Sequence, residues 1–121
     1  MNTVRMESSA LDFVQEKADE IMNHLAWYGE LTGTEAELVL RDKQDMTYLL
    51  RQGEKEGHYY LTYVKEGCSF THIPFTVHPT LKQWFYRQGY PRFATDLKVF
   101  VPEIMHAEEA DCIPLARLVR E

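Results

Sequence analysis

An arginine closes the apolar segment Thr47-Tyr48-Leu49-Leu50-Arg51, and Gln52-Gly53-Glu54-Lys55-Glu56-Gly57, a short stretch with two glycines, follows at once. Side chains of an extended segment alternate between faces, so Thr47, Leu49 and Arg51 share one face while Tyr48 and Leu50 take the other. Arg51 is therefore expected to point inward. A guanidinium keeps its charge at any physiological pH, so an inward one needs an anion or water. One reading is an ion pair with one of the chain's own 19 acids, or a snorkelling surface residue; the other is a pocket for an outside anion. The glycine turn favours the pocket, because such turns can aim backbone N–H groups at one anion while Lys55 adds charge. A phosphate fits that description, although similar turns are also ordinary solvated hairpin loops.

Other reactive side chains make weaker sets. Cys68 and His72, with His78 beyond, raise the idea of a metal site or a thiol–histidine nucleophile. Four residues along a strand span about 13 Å at about 3.3 Å per residue, too far for one ion unless the chain bends. A small buried cysteine and an ordinary histidine account for the pair, and no third group marks a hydrolase. Neither a metal nor a cofactor is expected. Trp84, Phe85, Tyr86, Tyr90 and Phe93 read as core or loop packing, or else as the wall of a groove.

The elements that must carry these residues can be read from periodicity. Leu11, Val14, Ala18, Ile21, Met22 and Leu25 recur at three- and four-residue steps, which predicts a helix over 9–25, with Ser9 and Asp12 as a capping box. Thr32 and Glu35 form a second capping box before a helix whose apolar face is Ala36, Leu38, Val39 and Leu40. The runs TYLLRQ, HYYLTYV, SFTHIPFTV and the short QWFY predict an antiparallel meander of three or four strands. Phe93 to Met105 reads as a helix with Thr95 as cap and Pro102 as kink or stop, and the tail CIPLARLVRE is expected to dock on the core. This order predicts an α+β fold, a central antiparallel sheet between two helices with an additional N-terminal helix.

At 121 residues one domain is the default, and 45% hydrophobic with 26% charged residues is ordinary globular usage. Nineteen acids against 13 bases give a formal charge of −6, which argues against nonspecific nucleic-acid binding; an anionic ligand must be caught locally. No apolar run approaches the roughly 18 residues that span a bilayer, and MNTVRMESS lacks the apolar centre of a signal peptide, so membrane insertion is not expected and a cytosolic setting is. Two cysteines, Cys68 and Cys112, fit a reducing compartment.

The segments WYGELTGTEAELVL, TYLLRQG, GHYYLTYV and THIPF, in that order, resemble the Src-homology 2 (SH2) family of phosphotyrosine-peptide binders. That family's pattern is an aromatic pair, Gly-x-Leu/Ile-Ser/Thr and a helix, then a strand of the Phe-Leu-Val-Arg type, Gly-x-Tyr-x-Leu-Ser, and a histidine on the next strand. The likeness runs from about Trp27 to Ile104, so residues 1–25 read as a helical extension and 26–121 as the SH2-like domain.

The resemblance implies that Arg51 grips the phosphate through two parallel hydrogen bonds and that Gly53, Glu54 and Lys55 form the phosphate-binding loop. Gly53 stands where a Ser or Thr hydroxyl is usual. It further implies that Tyr60 packs beside the phosphotyrosine ring, with Thr62 facing the same way, and that His72 buttresses the pocket. Ile73, Pro74 and Tyr90 fall where the residues after the phosphotyrosine are selected. Two departures leave the pocket less positive: Gly33 occupies the early-helix place of a second arginine, and Pro74 that of a lysine flanking the ring. The implied partners are tyrosine-phosphorylated proteins or peptides, bound without catalysis, in an adaptor, a fragment of a larger chain or a pathogen effector in a host cytosol. The alternatives are a degenerate module for an unphosphorylated or other acidic partner, a small Cys/His enzyme, and a purely structural piece.

Overall fold

The computed structural model of the chain describes residues 2–66 and 69–116, with side chains from Asp12 onward apart from Gln88 and Tyr90. Three helices, α1 (Asn2–Met22), α2 (Gly33–Leu40) and α3 (Leu97–Met105), accompany six strands: β1 (Thr47–Gln52), β2 (His58–Lys65), β3 (Ser69–His78), β4 (Gln83–Gln88), β5 (Tyr90–Ala94) and β6 (Ile113–Pro114). The strands form one sheet in the order β5-β4-β3-β2-β1-β6, antiparallel except where β6 pairs with β1 in parallel. The α+β class and the added N-terminal helix are as expected.

Alternation along the strands divides the core. Tyr48, Leu50, Tyr59, Leu61, Ile73, Phe75 and Trp84 face α3 with its Phe100 and Ile104, in the larger cluster. Leu49 and Val64 face the other way, onto Ala36 and Leu40 of α2. Helix α2 starts where Thr32 and Glu35 predicted: Glu35 N–H donates to Thr32 Oγ1 at 3.1 Å and Thr32 N–H to Glu35 Oε1 at 2.9 Å. Leu38, assigned to its apolar face, is instead 55% exposed. With only eight residues, α2 turns a narrow stripe toward the sheet.

Several boundaries differ from the sequence reading. Helix α1 begins well before Ser9 and ends at Met22 rather than Leu25. No glycine or proline interrupts Asn2–Ser8, and Ser or Asp inside a helix costs only about half a kcal/mol relative to alanine, so the Ser9–Asp12 box does not open it. Phe93 lies in β5, opposite Phe85, rather than in a helix. Strand β5 is the sheet edge, where Pro91 leaves no central ladder bond missing. Asp96, not Thr95, is the N-cap of α3, and Pro102 sits within that helix, which continues to Met105 and ends with His106 in the left-handed region (φ 55°, ψ 49°). The tail docks through β6; residues 117–121 lie outside the described residues.

Helix α1 is tied to the body of the domain. Phe13, Val14 and Ile21 pack on the larger cluster. Lys17 is buried, bonds to the Thr95 carbonyl and to Glu20 Oε1 (3.1 Å), and lies over the rings of Phe13 and Trp84. Glu20 also accepts from Trp84 Nε1 (3.2 Å) and from the Leu97 N–H (2.9 Å), so its carboxylate closes the first turn of α3.

Candidate anion-binding site

Strand register brings the site residues together. Arg51 lies opposite Tyr60, and Thr62 opposite both Leu49 and His72, so Arg51, Tyr60, Thr62 and His72 share the α2 face of the sheet. The segment before α2 runs alongside β1, with Tyr28 N–H donating to the Leu50 carbonyl and Gln52 N–H to that of Gly29, which carries the Leu31 carbonyl to the guanidinium.

Arg51 is 6% exposed. Its Nε–H donates to Thr62 Oγ1 (3.1 Å), one terminal nitrogen to the Leu31 carbonyl (3.2 Å) and the other to His72 Nδ1 (3.1 Å). The guanidinium lies over the Tyr60 ring at 4.3 Å from its centroid. Because Arg51 only donates, His72 Nδ1 must accept, and the ring proton then sits on Nε2, which donates to Glu37 Oε2 at 2.7 Å. Thr62 Oγ1, 3.0 Å from the same Nδ1, completes the set. Burial pulls the Arg51 guanidinium below its usual value, and Tyr60 and Glu37 act against that pull. Three of its five N–H groups have protein acceptors, and no carboxylate pairs with it among the described residues.

A hollow of about 670 Å³ opens over this cation, lined by Arg51 and Tyr60, by Thr32 and Gly33 of the α2 start, and by Gly53 and Glu54 of the hairpin loop. Gly33 is open to it: a Cβ there would come no closer than 3.5 Å to His72 and 3.6 Å to Arg51. Gly53 is the opposite case, since a Cβ would stand 2.6 Å from the His58 carbonyl oxygen. The Gly53 N–H donates to that same carbonyl at 2.8 Å, closing the hairpin.

The remaining expected site residues are more dispersed. Lys55 is exposed and lines a neighbouring hollow of about 250 Å³ together with Glu54 and Pro74, not the one over Arg51. Ile73 is 5% exposed on the opposite face of the sheet, inside the larger core cluster. The side chain of Tyr90, and Cys68 altogether, lie outside the described residues. Trp84 and Tyr86 are core residues, whereas the rings of Phe85 and Phe93 pack against each other in a tilted pair, 4.9 Å between centroids. Sequence reasoning missed the Leu31 carbonyl and Glu37. Glu37 was reachable, because Gly33, Glu37 and Leu40 fall on one stripe of α2 at steps of four and three.

With that geometry in hand, comparison with known proteins is decisive about family. The SH2 domain family model matches residues 27–98, more than half of the chain. The chain belongs to the SH2 family. A similar solved structure is the solution NMR structure of the CRK/CRKL homolog SH2 domain of Monosiga brevicollis, at 21% identity and a TM-score of 0.57, covering 70% of this chain and 77% of that one. At that identity the likeness concerns the fold. No curated protein matches. In this SH2 domain α1 precedes the matched region and is nevertheless packed into the core. Among the described residues no helix is long and apolar enough to cross a membrane.

Proposed function

We propose that this SH2 domain binds tyrosine-phosphorylated segments of other proteins, noncovalently and without catalysis, through a pocket centred on Arg51. The observation that carries the reading is the Arg51 guanidinium itself: 6% exposed, at the floor of a hollow, and paired with no carboxylate among the described residues. A buried cation left without a counter-ion is stabilised by an incoming anion, and a phosphate monoester brings about −1.5 to −2 charges at neutral pH. Thr62 and His72 hold the guanidinium, Tyr60 flanks the ring of the bound phosphotyrosine, and Gly53 and Glu54 edge the phosphate. Lys55 acts from the loop exterior. Pro74 and the chain around Tyr90 select the residues that follow, whereas Ile73, 5% exposed within the core, is not available to them. A cytosolic setting, where protein tyrosine phosphorylation takes place, is consistent with this role.

Retention on a phosphotyrosine column with release by phenyl phosphate, and loss of phosphopeptide binding in Arg51→Ala by titration calorimetry, are the expected results. Charge-assisted hydrogen bonds contribute about 1.5–3 kcal/mol each, so that variant should lose most of the affinity while circular dichroism stays native. Unchanged affinity in the variant refutes the reading. Retention that survives phosphatase treatment of the ligand points instead to a module for an unphosphorylated partner.

A further inference from the structure

The hollow over Arg51 has an acidic rim. Glu30, Glu35 and Glu54 all line it and all are exposed, while among the described residues Arg51 is the only cation in its lining. Glu35 is partly committed, since its carboxylate caps α2 by accepting from the Thr32 N–H. Glu30 and Glu54 make no hydrogen bond or ion pair that would neutralise them among the described residues. The loop cation Lys55 lies on the adjoining hollow. One positive charge at the floor thus faces three negative charges around the mouth, in a chain of net charge −6.

Resting on the phosphotyrosine reading above, we propose that this site selects segments carrying Lys or Arg within about two residues of the phosphotyrosine. An incoming phosphate adds negative charge to a mouth that is already negative, and at physiological salt charges within about 8 Å of one another are only partly screened. Arg51 compensates only part of that charge. The remaining compensation must come with the ligand. An extended peptide advances about 3.3 Å per residue, so side chains one or two positions from the phosphotyrosine reach the rim while the phosphate sits on Arg51. Acidic flanks meet Glu30 and Glu54 instead, and like-charge juxtaposition is the means by which such a surface rejects the wrong partner.

The test uses the whole chain and four fluorescein-labelled versions of one peptide: phosphotyrosine flanked by Ala, by Lys or by Glu, and the Lys-flanked peptide unphosphorylated. Fluorescence anisotropy is read at low and high salt for the wild type and for Glu30→Gln/Glu54→Gln, which spares the capping Glu35. At low salt the Lys-flanked phosphopeptide should bind about tenfold more tightly than the Glu-flanked one, with Ala between. High salt and the double variant should each narrow the gap to about threefold or less. An equal or reversed ranking, or a gap that the double variant leaves intact, overturns the proposal while binding of the Ala-flanked phosphopeptide leaves the parent reading standing. Lys-flanked peptide binding equally with and without phosphate overturns both.

Discussion

Glu37 on α2 and His72 on β3 meet at 2.7 Å, and the far side of the same imidazole accepts from Arg51. The carboxylate never touches the guanidinium, yet it sets which ring nitrogen carries the proton and so which nitrogen is left to receive Arg51. A positioning role of this kind predicts that Glu37→Ala weakens phosphopeptide binding by roughly fivefold, about one hydrogen bond's worth, whereas Glu37→Gln, whose amide oxygen can still accept from Nε2, retains most of it. Titration calorimetry on the two variants distinguishes this from a general charge effect, because both remove the same charge.

Two glycines near the pocket should respond in opposite directions. Gly33→Arg places its Cβ in ordinary contact distance of His72 and Arg51, replaces glycine in a helix, and adds a cation over the hollow. Phosphopeptide affinity is expected to rise about tenfold with no loss of thermal stability. Gly53→Ser supplies the hydroxyl common in the family, but its Cβ would collide with the His58 backbone. The hairpin must shift, so urea unfolding should show a loss of about 1–3 kcal/mol and calorimetry a weaker, not a stronger, complex.

Removing the carboxylate of Glu20 strands Lys17, 7% exposed, and frees the Trp84 and Leu97 N–H groups. Glu20→Ala should cost about 2–4 kcal/mol in chemical denaturation, and adding Lys17→Met should recover part of that loss, since the buried charge is then gone as well. A chain beginning at residue 26 is expected to unfold at much lower denaturant than the full one. The boundary drawn from sequence motifs cuts through this core.

His24 is held below the usual histidine value of 6.5 chiefly by burial, against an opposite pull from Glu20, and its Nδ1 accepts from the Ala26 N–H at 3.0 Å. The unfolded chain takes up a proton near that pH while the folded one resists, so protons favour unfolding and stability falls as pH drops below about 6.5. In His24→Asn, where the amide oxygen can take the place of Nδ1, the midpoint of thermal unfolding should vary less between pH 7 and pH 5.5 than in the wild type.

How far the chain could be read follows from how local each signal is. The capping pair Thr32–Glu35 and the alternation that turns Arg51 inward depend on neighbouring residues, and both are present in the structure. Strand β5 was hidden because Phe93, Leu97, Phe100 and Ile104 keep a helical spacing that extends backward across a real boundary; only pairing with β4, a distant contact, makes Phe93 a strand residue. The parallel strand β6 is two residues long and has no periodicity to detect. In the site, the residues on β1 to β3 follow from register. The Leu31 carbonyl could not be foreseen, because its place is set by the way the Ala26–Gly29 stretch lies along β1.

An arginine side chain that gains order only upon capture of a ligand lowers the affinity it provides, by up to about 2 kcal/mol of rotamer freedom. Here that freedom is already gone, because Thr62, Leu31, His72 and the Tyr60 ring fix the guanidinium in place before anything arrives. The docking event then resembles a key meeting a finished lock: brief encounters can be productive, and a guest whose shape departs from the hollow has no mobile cation to follow it.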